Sequence, residues 1–365
     1  MYAARLAMAL RERTGAEFFG MGGPRMAAAG VDLVADYHEV AVVGVAEVVH
    51  KIPTVVKVQN RLAREAARRG ASLAILVDSP GTHLGVARRL KNRKIPVGYF
   101  IGPQIWAWRP GRIRVVKRLV NRMVVIFPFE EPIYRKAGVA VDFVGHPLVD
   151  IVKPTMTRAE FTVRYALDPA RPIVALLPGS RKGEIARHYP VLLQACELLA
   201  REPRQSGTAQ FVLSVAPNVP VGTFAAYEKS HSVRITHVEG AHYDVLASAD
   251  CAAVASGTAT VEAALLGTPM ILFYRVSRAT AAIVRPMLTT PFVGMVNLIA
   301  GRGLVPELIQ DGFTPERTAA ELRNLLESPE AREEMKAGLA QVRQKLGTGG
   351  AIERAAAIFA RMLAP

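Results

Sequence analysis

Three short segments of the 365-residue chain place residues able to do chemistry at the ends of apolar runs. LPGSRKGE (Leu177 to Glu184) follows a strand-like run and opens a helical one. The backbone N–H groups of Gly179, Ser180 and Arg181 can therefore point at a phosphate, with the Arg181 guanidinium as a bidentate clamp. The spacing matches neither Gly-x4-Gly-Lys-Ser/Thr nor Gly-x-Gly-x-x-Gly, and a plain strand-to-helix turn would use the same residues. ASGTATVEAALLGTPM (Ala255 to Met270) repeats the arrangement with Ser256, Gly257 and Thr258, whose small side chains let a phosphate approach the backbone. Glu262, one turn further on, can accept bonds from ribose hydroxyls or simply complement the helix dipole. Two such turns in one domain suit a nucleoside diphosphate. LAILVDSPGTH ends a buried run on Asp78, placed either as a general base or as the cap of the next helix. His83 and His146 are second-rank candidates for binding or proton transfer.

The elements that must position these residues alternate along the chain. AEFFGMGG, SLAILVDS, IPVGYFIG, RMVVIFPF and VDFVGHP read as strands in the first part. PIVALLPGS, QFVLSVAP, VRITHV, CAAVASG and PMILFYR follow in the second. Runs without polar alternation, separated by helices, predict parallel sheets covered on both faces, hence an α/β fold of two Rossmann-like, doubly wound domains. The boundary falls after Gly145–Pro147, giving domains 1–149 and 150–340 and a C-terminal helical stretch, 341–365, packing back on the first domain. A helix over Ala3–Arg13 precedes the first strand-like run, so the strand that normally opens such a domain, central in its sheet, is absent. The expectation is a truncated or damaged first domain, with backbone groups unpaired on both neighbouring strands.

Half of the residues are hydrophobic, enough for large cores, and the length suits two of them. Cys196 and Cys251 lie far apart in no metal-like cluster, which predicts neither a disulfide nor a structural metal and fits a reducing compartment. The start, with Arg5, Arg11 and Glu12, lacks the pattern of a signal peptide, and the long uncharged stretch Cys251–Tyr274 is broken by Glu262 and Pro269, so no membrane span is read. The net charge is +15, and residues 79–129 carry 11 Lys or Arg and no Asp or Glu. The same segment holds Trp106 and Trp108 in PQIWAWRPGR, beside Arg109 and Arg112. Aromatic rings next to cations suit an anionic membrane surface, a packed loop with a solvated basic face being the alternative. With no nucleic-acid module present, nucleic acid is not expected as a partner.

Taken in order, GMGGPRM, VDSPGTH, GPQIWAWRPGR, FPFE, FVGHPL, LPGSRKGE, ASGTATVEAALLGTPM and VNLIAGRGLVPELIQ resemble the lipid-A-disaccharide synthase family across nearly the whole chain. The resemblance implies a GT-B architecture with its active site in the inter-domain cleft. It also implies inverting, metal- and cofactor-free transfer of 2,3-diacylglucosamine from a UDP donor to the 6-hydroxyl of 2,3-diacylglucosamine 1-phosphate. Asp78 would be the base. Arg181 and the Ser256–Thr258 turn would stabilise the leaving diphosphate. Gly179 and Ser180 would border it, Glu262 would bind ribose, and Asn297 and Glu307 would complete the donor site. His83, Trp106, Trp108, Arg109 and Arg112 would meet the acceptor or the membrane. The implied location is cytoplasmic and peripheral on the inner membrane; an oligomer is left open.

Two departures stand out. The family's Gly-Glu-x-Ser-Gly-Asp loop belongs ahead of the segment matching Met1, and its Pro-Asp-Phe-Asn is Pro80, Gly81, Thr82 and His83 here. The competing readings are another UDP-GlcNAc-using GT-B enzyme, which shares the Glu262-type helix but not IWAW or GPRM, and an inactive nucleotide-sugar-binding protein.

Overall fold

The computed structural model describes residues 1–40, 45–107, 111–220, 222–287 and 289–363. Trp108 and Arg109 fall outside them. The chain divides into two units: Met1–Pro147 with the stretch from Leu346, and Leu148–Lys345. The division falls directly after Pro147, and the C-terminal helix belongs with the first unit.

In the first unit, β1 (Phe19–Gly22) pairs in parallel with β2 (Asp32–Asp36). A separate parallel ladder runs β3 (Ala74–Val77), β4 (Val97–Phe100), β5 (Arg122–Val125), β6 (Val141–Phe143). The sheet is thus in two pieces, and a cavity of about 1320 Å³ lies among residues of β1, β3 and the neighbouring helices. All four residues of β4 are buried, as a parallel strand covered on both faces requires. Tyr99, Met123, Val125, Val86, Leu90 and Val116 form the core beside it. The Ala351–Leu363 helix packs on the Tyr2–Thr14 helix and presses Phe359 against β4, where a Cβ at Gly98 would collide with the ring. Its Arg354 donates to the Val144 carbonyl at 2.6 and 2.9 Å, and the His146 N–H donates to Leu346.

The second unit holds β7 (Ile173–Leu177), β8 (Gln210–Val215), β9 (Ile235–Glu239), β10 (Cys251–Ala255), β11 (Met270–Tyr274) and β12 (Glu307–Ile309). They form one parallel sheet in the order β12-β11-β10-β7-β8-β9. Counted from β7, this is the doubly wound order 6-5-4-1-2-3, whose connections change direction between β7 and β10. Every residue of β7 and β10 is buried. Both cysteines are free and buried, and burial raises their thiol pKa values. Asp244 ties the start of the unit down, accepting from the Thr155 and Met156 N–H groups at 2.5 and 2.8 Å.

Trp106 corrects an expectation. It is half-buried, its ring edge lies on Phe129, and its indole N–H donates at 3.1 Å to Glu130. It is packed rather than offered to a membrane. The other Glu130 oxygen accepts the Phe127 N–H at 3.2 Å, and burial pushes this carboxyl from 4.5 up to about 7. Because the folded pKa is raised, the stabilising contribution is complete below pH 4.5 and is lost as pH rises through 7. The shift corresponds to at most roughly 3 kcal/mol. Thermal unfolding of the full chain and of Glu130→Gln between pH 5 and 8 should show the wild type losing stability relative to the variant as pH rises.

Candidate active site

In the second unit the loops after β7 and β10 flank the point where the strand order reverses, the position at which open α/β sheets hold ligands. The loop after β7 places Gly179 at φ +113° and leads into the Lys182–Ala200 helix. Its frame comes from two side chains that sequence reasoning missed. His188, fully buried, donates from Nδ1 to the Pro178 carbonyl at 2.8 Å and accepts the Arg275 N–H on Nε2 at 3.0 Å, which locks the loops after β7 and β11 together. Burial lowers its pKa. Asn218 donates to the Ser180 carbonyl at 2.9 Å.

One expectation here needs correction. The N–H groups of Ser180 and Arg181 are not free for a phosphate: both donate to Glu184 Oε2, at 3.1 and 3.2 Å, and the Arg181 guanidinium meets Glu184 Oε1 at 2.7 Å. A glutamate three residues after the N-cap is the capping-box position, so that much was readable in RKGE. The Arg181 side chain is 67% exposed and can reach a ligand.

The turn after β10 is open. Gly257 stands at φ 153°, ψ −160°, a region essentially confined to glycine, and no side chain caps the Thr258–Leu266 helix that follows. Gly257 and Thr258 are exposed, so the positive end of this helix is available to an anion. Ser256 is fixed by its N–H bond to Phe273. Glu262, on the same helix, accepts from His242 at 2.9 Å and from Tyr243 at 3.3 Å and keeps 15% of its side chain exposed.

Asn297 and Glu307 sit elsewhere in function than expected. Asn297 is buried and all its capacity is used. Its amide donates to the Val305 carbonyl and Glu307, and its oxygen accepts the Leu304 and Val305 N–H groups at 2.8 and 2.9 Å. Glu307 also receives the N–H groups of Val293 and Gly294. The pair braces the 293–305 segment and borders a cavity of about 570 Å³. Among the described residues, no group of three or more His, Cys, Asp or Glu side chains is gathered in a metal-like cluster.

In the first unit Asp78 is exposed at the C-terminal end of β3. It and Ser79 both take left-handed backbone conformations, at φ 53° and 48°. Two such residues in succession cost on the order of 1–3 kcal/mol each, and strain of this kind gathers at functional sites. Three bonds hold it: Asp78 N–H to the Phe100 carbonyl at 3.1 Å, and Tyr99 O–H and His83 Nδ1 to the Asp78 carbonyl at 2.8 and 2.7 Å. His83 uses Nδ1 on the main chain of Asp78, and burial lowers its pKa. Arg112 opens the helix Arg112–Leu119. His146 is buried against Phe127 and Tyr2, with its pKa lowered to about 4, and is structural.

Solved structures place this fold in a class. The chain superposes over 98% of its length on 91% of a putative UDP-N-acetylglucosamine 2-epimerase from Listeria monocytogenes, with TM-score 0.64 at 14% identity. It superposes over all of its length on 95% of the calicheamicin glycosyltransferase CalG4, with TM-score 0.61 at 16% identity. At such identities the likeness shows the fold alone: two doubly wound α/β units of the GT-B class, as the sequence predicts. The family follows from the sequence match. The chain belongs to the lipid-A-disaccharide synthetase family, whose model matches residues 1–360. A relative from Solibacter usitatus, a lipid-A-disaccharide synthase, is 45% identical over 365 residues, all of this chain and 94% of the relative. The chain is accordingly a glycosyltransferase, and the reading as another UDP-GlcNAc-using GT-B enzyme is not favoured.

Gly257→Ala tests the open turn. With nothing within 4 Å of an added Cβ, its only effect is conformational, a cost of about 1–3 kcal/mol. Calorimetric titration should show weaker UDP binding than in the wild type.

Proposed function

We propose that the chain transfers 2,3-diacylglucosamine from its UDP donor to the 6-hydroxyl of 2,3-diacylglucosamine 1-phosphate, with inversion and without a metal or other cofactor. The observation that carries the donor half is the pair of glycine-bearing turns flanking the β7–β10 reversal. There the uncapped helix end at Thr258 and the exposed Arg181 supply positive charge where the β-phosphate of UDP gathers negative charge as its bond to the sugar breaks. Glu262 takes the ribose. Asp78 removes the proton of the acceptor 6-hydroxyl as that oxygen bonds to the anomeric carbon, and afterwards releases it to water. Tyr99 and His83 hold its strained backbone, leaving its carboxylate exposed.

Acceptor-dependent UDP release from UDP-2,3-diacylglucosamine is the direct test. Turnover supports the transferase reading, and UDP binding without turnover under any acceptor overturns it. Asp78→Asn should lower kcat by about 10²–10⁴-fold, the range of general-base contributions. UDP affinity should stay within about twofold, and a large loss of it would show Asp78 to be misassigned.

The same reading places the protein peripherally on the cytoplasmic face of the inner membrane. No helix of the described residues is long and apolar enough to cross a membrane. Support comes from Ile52 and Val56, four residues apart on the Val45–Arg68 helix and 52% and 38% exposed. Exposed Lys91, Arg93, Lys94, Lys117 and Arg118 add positive charge to the same unit. Ile52→Ser with Val56→Ser should reduce co-sedimentation with anionic liposomes while Trp106→Phe leaves it unchanged. The reverse pattern would restore the tryptophan as the contact.

A further inference from the structure

Glu262 does not stand alone. It is the end of a chain of side chains drawn from strand β8 and from the helices that follow β9 and β10. Ser214, in the C-terminal half of β8, lies 3.0 Å from His242 Nδ1. His242 Nε2 lies 2.9 Å from Glu262 Oε2, and the Tyr243 hydroxyl lies 3.3 Å from Glu262 Oε1. His242 and Tyr243 open the His242–Ser248 helix that follows β9; Glu262 lies on the helix that follows β10.

A carboxylate can only accept, so Nε2 carries the proton toward Glu262, and in the neutral imidazole Nδ1 accepts from the Ser214 hydroxyl. Both oxygens of Glu262 are then pinned by donors from one neighbouring helix, and the plane of the carboxylate is fixed. Each oxygen keeps a further lone pair, enough to accept the two hydroxyls of a vicinal diol. A glutamate free to rotate would have to be ordered when the ligand binds, and pre-organising it removes that cost from the affinity.

We infer that His242 is a positioning residue for the donor: through its bond to Glu262, backed by Ser214 and joined by Tyr243, it sets the carboxylate to receive the ribose cis-diol of a uridine nucleotide. The inference rests on the donor reading of the second unit and adds residues that do not themselves touch the nucleotide.

The test is calorimetric titration of the full chain with UDP, 2′-deoxy-UDP and 3′-deoxy-UDP, for the wild type, His242→Ala, His242→Gln, Tyr243→Phe and Glu262→Gln. The wild type should prefer UDP over at least one deoxy analogue by about tenfold, the net worth of one hydrogen bond to a partly exposed carboxylate. His242→Ala should weaken UDP by roughly five- to tenfold and that analogue by less than twofold, so that the preference collapses. His242→Gln, whose amide can donate from a similar place, should restore most of it. Tyr243→Phe, a mild change, should give a smaller loss in the same direction and covers the case in which the alanine variant does not fold. Equal weakening of all three ligands, or no change at all, in His242→Ala overturns the positioning role. If Glu262→Gln also leaves the preference intact, the ribose assignment of Glu262 fails; if Glu262→Gln abolishes it while His242→Ala is silent, only the inference about His242 fails.

Discussion

The pairing of β7 with β10 constrains everything that the second unit can do. These strands are neighbours in space, Cys251 opposite Val174, yet three connections apart in the chain. Right-handed crossovers from the two strands depart to opposite sides, so the loops that leave their C-terminal ends diverge and open a crevice. Both strands are buried on both faces, which leaves the polar groups that can meet a ligand to the loops. His188 stabilises that arrangement from beneath: a neutral, fully buried imidazole that joins the loop after β7 to the loop after β11. Its Nε2 lies near both the N–H and the carbonyl of Arg275, and burial lowers its pKa.

The first unit solves a different problem. A base must project from a strand end, and the chain achieves this by forcing Asp78 and Ser79 into left-handed geometry before the Pro80–Lys91 helix begins. Pro80 pre-sets the first helical residue and so sharpens the turn. The strain persists because the surroundings over-determine it: Tyr99 and His83 both bond the Asp78 carbonyl, while Phe100 takes its N–H. The family's asparagine position is thus filled by a histidine that works on the backbone.

Legibility followed packing. The strands with continuous apolar runs, such as AILV, VALL and CAAVA, were readable because a parallel sheet buried on both faces demands that pattern. β2 and β12 were missed: DLVAD and ELI are short and half-polar, as edge strands are. The two glycine-bearing turns were legible as turns because small residues at strand ends mark them. Trp106 was misread because an aromatic beside cations looks alike in sequence whether it faces lipid or, as here, a buried glutamate 24 residues away. Asn297 was misread for the same reason, its partners lying seven to ten residues off with no pattern to mark them. The Ser214–His242–Glu262 chain had no sequence signal, since only the fold brings its members together.

Glu184 shows how an anion turn is kept ready. Ser180 and Arg181 stand at an exposed helix start, where their N–H groups have no partner within the helix. The carboxylate of Glu184 satisfies both and holds Arg181 beside them, so the turn has its final shape before any ligand arrives. An arriving diphosphate brings more negative charge than a carboxylate, and Arg181 is exposed enough to turn toward it without leaving the loop. Of the pair, only Arg181 is exposed, at 67% against 15% for Glu184, so the arginine rather than the glutamate is the group free to move. The internal anion therefore holds the geometry of the turn.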